Sequence, residues 1–413
     1  RTCMKAVNFA SLRPKDDLFH PGDVATVATT LVRGEITYTQ RPDSAPVAAD
    51  TTVAVEVGSW LCEAALWVEW THVGSAEARS ACDLLTVEAE ELSLCLQQDY
   101  VIKGIAAEYC RQFHKRVSSA CPPQSPYPND LQVPYTDYCD LVVSMPKSIQ
   151  LTVGREALLH FPASRSARSL EKLREEVECS KSIVVVTGDG AIVRVVSLVV
   201  LRATTPDGRI CMQVAKYDGT ELKSAFQLPG LKQEANELVA DTLQRLFSTK
   251  LTRLSGQVEV QGTERQNMEK ESKEYGVQTR YMRSICAARL RHDVSLSDRK
   301  CDWEQPEALV AEQVSTLRSM QAAGGQAQFD VSQRQLLKAL CEVDVYAIGG
   351  AESGNLYAWL PPDTESSLGT PGGDKVLQHW ISGLRLPSVP AERSEALDEC
   401  MLGFETPPLL QQV

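Results

Sequence analysis

Side chains suited to binding chemistry lie close together in residues 58–72. Cys62 and Glu63 follow an aromatic and apolar pair, and His72 lies further along the same stretch. A carboxylate accepts hydrogen bonds, and a neutral imidazole offers one donor and one acceptor. We therefore take Glu63, His72 and Cys62 as the candidate ligand-binding residues of this chain.

No other group of residues predicts a catalytic or metal site. The six histidines have no metal-ligand spacing, and the thirteen cysteines, an odd number, include no C-x-x-C pair. There is no nucleophile elbow, and Gly188-Asp189-Gly190 is typical of a turn because it lacks the basic partner of a phosphate loop. We expect no catalytic residue, no metal and no cofactor. The cysteines are expected to be mostly buried, in a reducing compartment.

Charge and hydropathy limit the classes of partner. The formal net charge is −12 and no dense Lys/Arg cluster offsets it, so we expect no nucleic-acid partner. The most apolar run, residues 192–203, contains two arginines and is shorter than the roughly 20 residues of a membrane span, which predicts a buried strand. The chain begins with Arg1 rather than Met, which predicts further sequence upstream. We expect a cytoplasmic protein, membrane-associated only through that upstream region or a partner.

Strands and then helices must position the candidate residues. Residues 18–88 hold short strand-like runs separated by turn signals, such as LVRGEITYT with its break at Gly34-Glu35. From Ala89 the apolar spacing becomes helical and continues to about Val117. The predicted apolar face of these helices consists of Leu92, Cys95, Val101, Ile102, Ile105, Ala106, Tyr109 and Phe113. The pattern predicts a β-roll closed by helices within residues 1–120.

This first segment resembles the cyclic-nucleotide-binding domain family, most closely the versions that follow the pore of ether-à-go-go-type potassium channels in protists. In that family a Glu binds the ribose hydroxyl and a later Arg neutralises the phosphate. The resemblance places Glu63 at the ribose-binding carboxylate, Cys62 at the preceding glycine, and His72 or Val73 where the Arg would be. A neutral His lacks the charged fork of Arg, so an empty or occluded pocket is favoured over nucleotide binding.

Residues 121–180 are predicted to connect two domains. Their first part, 121–138, is rich in proline and predicts a linker of limited flexibility. Short apolar runs then predict strands at LVVSM, residues 141–145, and ALLHF, residues 157–161. A helix is expected at about 167–179.

The second domain is predicted over residues 181–360. Two β-branched runs flank the turn at 188–190, and Pro206-Asp207-Gly208 predicts a hairpin. Further elements are expected as helices at about 236–251, 306–321 and 331–342, and strands at 257–261 and 279–290. Residues 361–413 are rich in Pro, Gly and Ser, which predicts a poorly ordered tail with one short helix at 375–381.

The run from Gly208 through Gln227-Leu228-Pro229-Gly230 and the helix after it resembles the Nudix family, over roughly residues 181–290. In that family helical glutamates hold Mg²⁺ against a diphosphate. Gly230, Glu237 and Arg245 align with the motif only if one extra residue is allowed between Gly230 and Glu237. Residues 246–251 contain none of the motif's later carboxylates, and Lys250 stands where a metal ligand is needed. The resemblance implies a Nudix-like fold without metal-dependent hydrolysis. Because Glu237 and Arg245 are eight residues apart, we expect them to form a structural ion pair.

The sequence therefore predicts an α+β protein: an N-terminal β-roll with C-terminal helices, cyclic-nucleotide-binding-like, and a Nudix-like α/β/α domain. Our leading hypothesis is a non-catalytic regulatory or scaffolding protein, either the cytoplasmic region of a channel-like protein or a subunit of a larger assembly. Its expected partners are proteins or an upstream membrane domain. Two alternatives stay open: a functional sensor that binds a cyclic nucleotide, and a divergent Nudix-type hydrolase that uses Glu234 or Glu237.

Overall fold

The chain forms a mixed α+β structure, as expected. The computed structural model describes residues 3–162, 166–219, 221–272, 274–304, 331–350 and 352–387. They fall into two compact units, Arg1–Cys211 with Leu228–Val294 and Met212–Gln227 with Ser295–Val413. Among the described helices, none has the length and apolar character needed to cross a membrane.

The first unit begins with a β-roll made of ten short strands. They form two four-stranded sheets, ordered β1-β10-β4-β7 and β2-β9-β5-β6, and a β3-β8 pair. Their bounds are β1 Val7–Leu12, β2 Asp17–Phe19, β3 Val24–Ala25, β4 Val27–Arg33, β5 Ile36–Gln40, β6 Thr51–Val55, β7 Trp60–Leu61, β8 Trp70–Thr71, β9 Gly74–Ala78 and β10 Cys82–Glu88. A short helix α1, Cys3–Ala6, precedes them, and a 3₁₀ turn, Glu63–Leu66, lies between β7 and β8.

Alternating burial explains why these runs form strands. In β5 and β9 every second residue faces the interior, which buries Ile36, Tyr38, Ala76 and Ala78. The predicted break between β4 and β5 is confirmed at Gly34, whose φ of 105° lies in the region that favours glycine.

Helices follow the roll, and those within residues 89–119 and 167–178 confirm the prediction. Their bounds are α2 Ala89–Leu96, α3 Tyr100–Ser119, α4 Tyr138–Ser144, α5 Lys147–Leu158 and α6 Ala167–Glu178. Helix α3 begins at a cap in which the Asp99 carboxylate accepts from the amides of Val101 and Ile102. Phe113 is buried, but Val101 and Ile102 are about half exposed, so the predicted apolar face is buried only toward the C-terminal end of α3.

The strands predicted at LVVSM and ALLHF were wrong, because neither run forms a strand. LVVSM lies almost entirely in α4, and ALLHF begins in the last turn of α5. Short apolar runs do not distinguish a buried helix from a buried strand. Here distant groups satisfy the last carbonyls of α4: Arg116 donates to the Asp140 carbonyl (2.8 Å), and the Gln150 amide donates to three carbonyls of residues 142–145.

A further sheet follows the roll. The elements that follow are β11 Ile183–Val186, β12 Ile192–Thr204, β13 Ile210–Asp218, β14 Glu221–Gln227, β15 Gly230–Lys232, α7 Val239–Thr249, β16 Val258–Glu271 and β17 Gln278–Leu290, with a 3₁₀ turn at Thr252–Leu254. Strand β12 is central, because it pairs in parallel with β17 and antiparallel with β11 and β15. This confirms the buried strand predicted at 192–203. The predicted hairpin is present as the Thr204–Ile210 pair.

In the second unit, β13, paired with β14, is followed in hydrogen-bonding order by β20, β19, β18 and β21. The remaining bounds are β18 Lys300–Trp303, α8 Val331–Cys341, β19 Val345–Gly349, β20 Ser353–Leu360, α9 Pro362–Leu368, α10 Pro371–Ser382 and β21 Leu384–Arg385. The segment predicted as a poorly ordered tail thus contributes two helices and a strand. The helix predicted at 306–321 lies outside the described residues, as do residues 388–413.

Candidate functional site

The structure brings two of the three candidate residues together inside the roll. Cys62 begins the 3₁₀ turn with a φ of 59°, and its Sγ lies 3.3 Å from Nδ1 of His72. Both side chains are buried. Glu63 is only half-buried and lines an adjacent cavity, so it is not part of this contact.

The residue at the centre of the site is one that the sequence analysis did not identify. Asp130 belongs to the proline-rich segment that was expected to be a linker, and it is 1% exposed. Its Oδ1 accepts hydrogen bonds from Nε1 of Trp70 (2.8 Å) and Nδ1 of His72 (2.9 Å). The segment after α3 therefore returns to the roll and places a carboxylate in its interior.

The second carboxylate oxygen of Asp130 also accepts several hydrogen bonds. Its Oδ2 accepts from the hydroxyl of Tyr38 (2.8 Å) and from the amides of Val73 (3.0 Å) and Gly74 (2.9 Å). The Asp130 carbonyl also accepts from the amide of Cys62 (2.6 Å). Five donors converge on one carboxylate, and such charge-assisted bonds are the stronger kind.

The imidazole of His72 has a fixed position. Its ring stacks on Phe19 with 3.9 Å between centroids and 6° between planes. The His72 amide donates to the Asp23 carbonyl (3.0 Å), and the His72 carbonyl accepts from the Gly22 amide (2.8 Å). The hydrogen bond to Asp130 requires a proton on Nδ1.

The pKa values of the site reflect this arrangement. Burial disfavours a charged Asp130, but the hydrogen bonds from His72, Trp70 and Tyr38 outweigh it, so the pKa of Asp130 is lowered. Burial, together with the charge of Asp130, raises the pKa of the Tyr38 hydroxyl and of the Cys62 thiol. Asp130 is thus the ionised acceptor, and Tyr38 and Cys62 keep their protons.

A cavity of about 340 Å³ lies beside Asp130. Its charged lining residues are Glu63, Asp130, Asp137, Asp140 and Arg265. Burial raises the pKa of the Glu63 carboxyl. Carboxylates outnumber cations four to one around this space, which disfavours an anionic occupant.

The helix after Pro229-Gly230 carries a structural ion pair. Nε and one amino group of Arg245 donate to the two carboxylate oxygens of Glu237 (2.6 and 2.8 Å), as predicted from their spacing. Glu234 also pairs with Arg245 (3.4 Å). Asp241, the one acidic residue in α7, accepts from the amide of Leu238 (2.8 Å). In the part of the chain that the structure describes, these carboxylates do not form a group of three potential metal ligands.

Among the described residues, Cys62, His72 and Asp130 are the one group of three or more potential metal ligands. Sequence spacing did not reveal it, because Asp130 is 58 residues from His72 in the chain. The signal available in the sequence was weak: Leu131 and Val133 are apolar residues in an otherwise polar, proline-rich segment, and Val133 is buried. Six of the eleven described cysteines are buried, and Cys121 and Cys179 are exposed.

Comparisons with known proteins are limited to fold. No protein-family model matches the chain, and no curated protein matches it. Among solved structures, a cyclic nucleotide-binding-like protein from Brucella abortus is 25% identical, with a TM-score of 0.20, over 22% of this chain and 77% of that one. The C-linker/CNBHD of zELK channels is 15% identical (TM-score 0.19; 23% of this chain, 51% of that one).

A third similar structure is the regulatory subunit of a cAMP-independent protein kinase A from Trypanosoma brucei, 14% identical with a TM-score of 0.20 over 22% of this chain and 33% of that one. The similar structures thus include a cyclic nucleotide-binding-like protein. At these TM-scores they carry no argument about what this chain binds. The Nudix-like resemblance stays a prediction.

Proposed function

We propose that this chain is a non-catalytic regulatory or scaffolding protein whose roll does not respond to cyclic nucleotides. The observation that carries this proposal is the Asp130 carboxylate, which takes up the donors that an anion would need. These donors are the side chains of Tyr38, Trp70 and His72 and the amides of Val73 and Gly74.

The energies of the hydrogen bonds to Asp130 support the proposal that the roll does not bind a cyclic nucleotide. A hydrogen bond to a charged group contributes roughly 1.5–3 kcal/mol, so the five bonds to Asp130 are together worth about 7 kcal/mol or more. A ligand with micromolar affinity gains about 8 kcal/mol on binding. A cyclic phosphate that took these donors would only replace the bonds to Asp130 and would leave a buried carboxylate unpaired, which costs about 3–5 kcal/mol of that gain. The acidic lining of the adjacent cavity adds repulsion.

We extend the proposal to the segment that resembles the Nudix family, which we take to be structural as well. Glu237 and Glu234 are engaged with Arg245, and Asp241 caps its own helix. Mg²⁺-dependent diphosphate chemistry needs several carboxylate oxygens on one face. We also propose, from the family resemblance, that the chain works beside protein partners or an upstream membrane domain, as in a channel-like protein.

Calorimetry of the full chain with cyclic AMP and cyclic GMP tests the main proposal. We expect no binding to the wild-type protein at micromolar concentrations of either nucleotide. Micromolar binding that Glu63→Ala abolishes would instead establish a functional sensor. The matched control is Glu69→Ala, which removes an exposed carboxylate shortly after the same 3₁₀ turn.

Incubation with a panel of nucleoside diphosphate compounds and Mg²⁺ or Mn²⁺ tests the hydrolase alternative. We expect no turnover. Turnover that Glu234→Gln or Glu237→Gln removes would overturn the non-catalytic assignment.

A further inference from the structure

Three different metal-ligand types converge at one buried point of the roll. Sγ of Cys62 lies 3.3 Å from Nδ1 of His72 and 3.8 Å from Oδ1 of Asp130, and the nitrogen and oxygen are 2.9 Å apart. All three residues are buried. They come from three separate segments: the 3₁₀ turn, the residue after β8, and the chain that follows α3.

These separations approach those of a tetrahedral zinc site. Zinc binds sulfur at about 2.3 Å and nitrogen or oxygen at about 2.0–2.2 Å, which places neighbouring ligand atoms roughly 3.3–3.8 Å apart. The two distances to Cys62 Sγ fall in that range. The distance between His72 and Asp130 is that of a hydrogen bond, and it would open by about 0.5 Å when a metal replaced the shared proton.

Groups around the three ligands hold them in the required orientation. Tyr38 and the amides of Val73 and Gly74 fix Oδ2 of Asp130. Oδ1 accepts from Nε1 of Trp70 and lies within 4 Å of both Cys62 Sγ and His72 Nδ1. Such outer hydrogen bonds orient ligands in metal sites. The stacking of His72 on Phe19 fixes its ring in the same way.

The charges also suit a buried divalent ion. A thiolate and a carboxylate together neutralise Zn²⁺, so the filled site has no net charge to bury. On binding, the Cys62 thiol releases its proton to solvent, and the proton on Nδ1 of His72 leaves that nitrogen while Nε2 carries the ring's proton in the filled site. Without a metal, Asp130 and burial keep the thiol protonated.

We propose that Cys62, His72 and Asp130 bind a zinc ion, with water as the fourth ligand. The ion ties the segment after α3 to the roll. This inference is independent of the proposed function, because the absence of nucleotide binding and the presence of a metal are measured separately.

The experiment is a titration of chelator-treated full chain with Co²⁺, followed by zinc loading and elemental analysis. We expect about one metal per chain and the near-ultraviolet charge-transfer absorption of a cobalt–thiolate bond. Cys62→Ser should lose both signals. Cys82→Ser is the matched control and should keep both. Cys82 is a buried cysteine of the same roll whose Sγ donates to the backbone carbonyls of Glu35 and Ser80.

Two results would overturn the proposal: no cobalt–thiolate absorption in the wild-type protein, or the same absorption and stoichiometry in Cys62→Ser. Circular dichroism establishes that each variant is folded. If Cys62→Ser is not, His72→Asn takes its place in the same comparison, because its amide nitrogen can still donate to Asp130. Retention of the metal by folded His72→Asn would equally contradict the site.

Discussion

Removing the Asp130 carboxylate is the sharpest test of how the roll is held together. Asp130→Ala leaves the side chains of Tyr38, Trp70 and His72 and two backbone amides without their acceptor. A buried donor left without its acceptor costs about 1–3 kcal/mol, so two of the five left unsatisfied already cost roughly 3–5 kcal/mol. We expect a loss of that size in the free energy of opening this part of the roll.

Amide hydrogen exchange measures the loss locally. The amides of Val73 and Gly74 donate directly to Asp130, so a peptide that contains both reports on the site. Because each 1.4 kcal/mol is a factor of ten, 3–5 kcal/mol corresponds to exchange about 10²- to 10⁴-fold faster in Asp130→Ala. A local probe is preferable to one unfolding midpoint, since a chain with two compact units need not unfold in two states.

Asp137→Ala is the matched control. Asp137 lies in the same segment, is exposed, and makes no side-chain hydrogen bond to the helix that it precedes. Its replacement should change the exchange by less than about threefold, as for an ordinary surface substitution. Equal exchange in Asp130→Ala and Asp137→Ala would refute the central role of the Asp130 carboxylate.

Three further predictions follow from particular contacts. The pKa of Asp130 in the folded state is lowered, so its contribution to stability is complete above the usual pKa of about 3.9 and is lost as pH falls through the folded pKa. In urea unfolding, the difference in stability between wild type and Asp130→Asn should therefore be smaller at about pH 3 than at about pH 7. Gly74→Ala would place Cβ 2.5 Å from the Tyr38 ring and should cost about 1–3 kcal/mol in thermal unfolding, whereas Gly104→Ala, with open space in α3, should be neutral or stabilising. Glu237→Ala removes the half-buried ion pair at the start of α7 and should lower the free energy of unfolding in urea by about 1–2 kcal/mol. Glu237→Gln should lower it by less, because the amide oxygen can still accept from Arg245.

The elements that could be predicted from the sequence are those set by local pattern. Strand β5 is specified by its alternation of buried and half-buried residues, and the break before it by Gly34. The ion pair between Glu237 and Arg245 followed from residues that lie on either side of one helix start. The run at 141–145 could not be assigned in this way, because Arg116 and Gln150 stabilise it as a helix from elsewhere in the chain.

The candidate site, too, could be predicted from the sequence only in part. The sequence by itself identified Cys62 and His72 as residues of interest, and the family resemblance predicted His72 or Val73 at the position of the arginine that binds a cyclic phosphate. Only the tertiary structure decided that the segment after α3 folds back and places Asp130 between them. The physical reason is that a buried carboxylate must find donors in three dimensions, and those on Tyr38 and Trp70 lie 92 and 60 residues away along the chain.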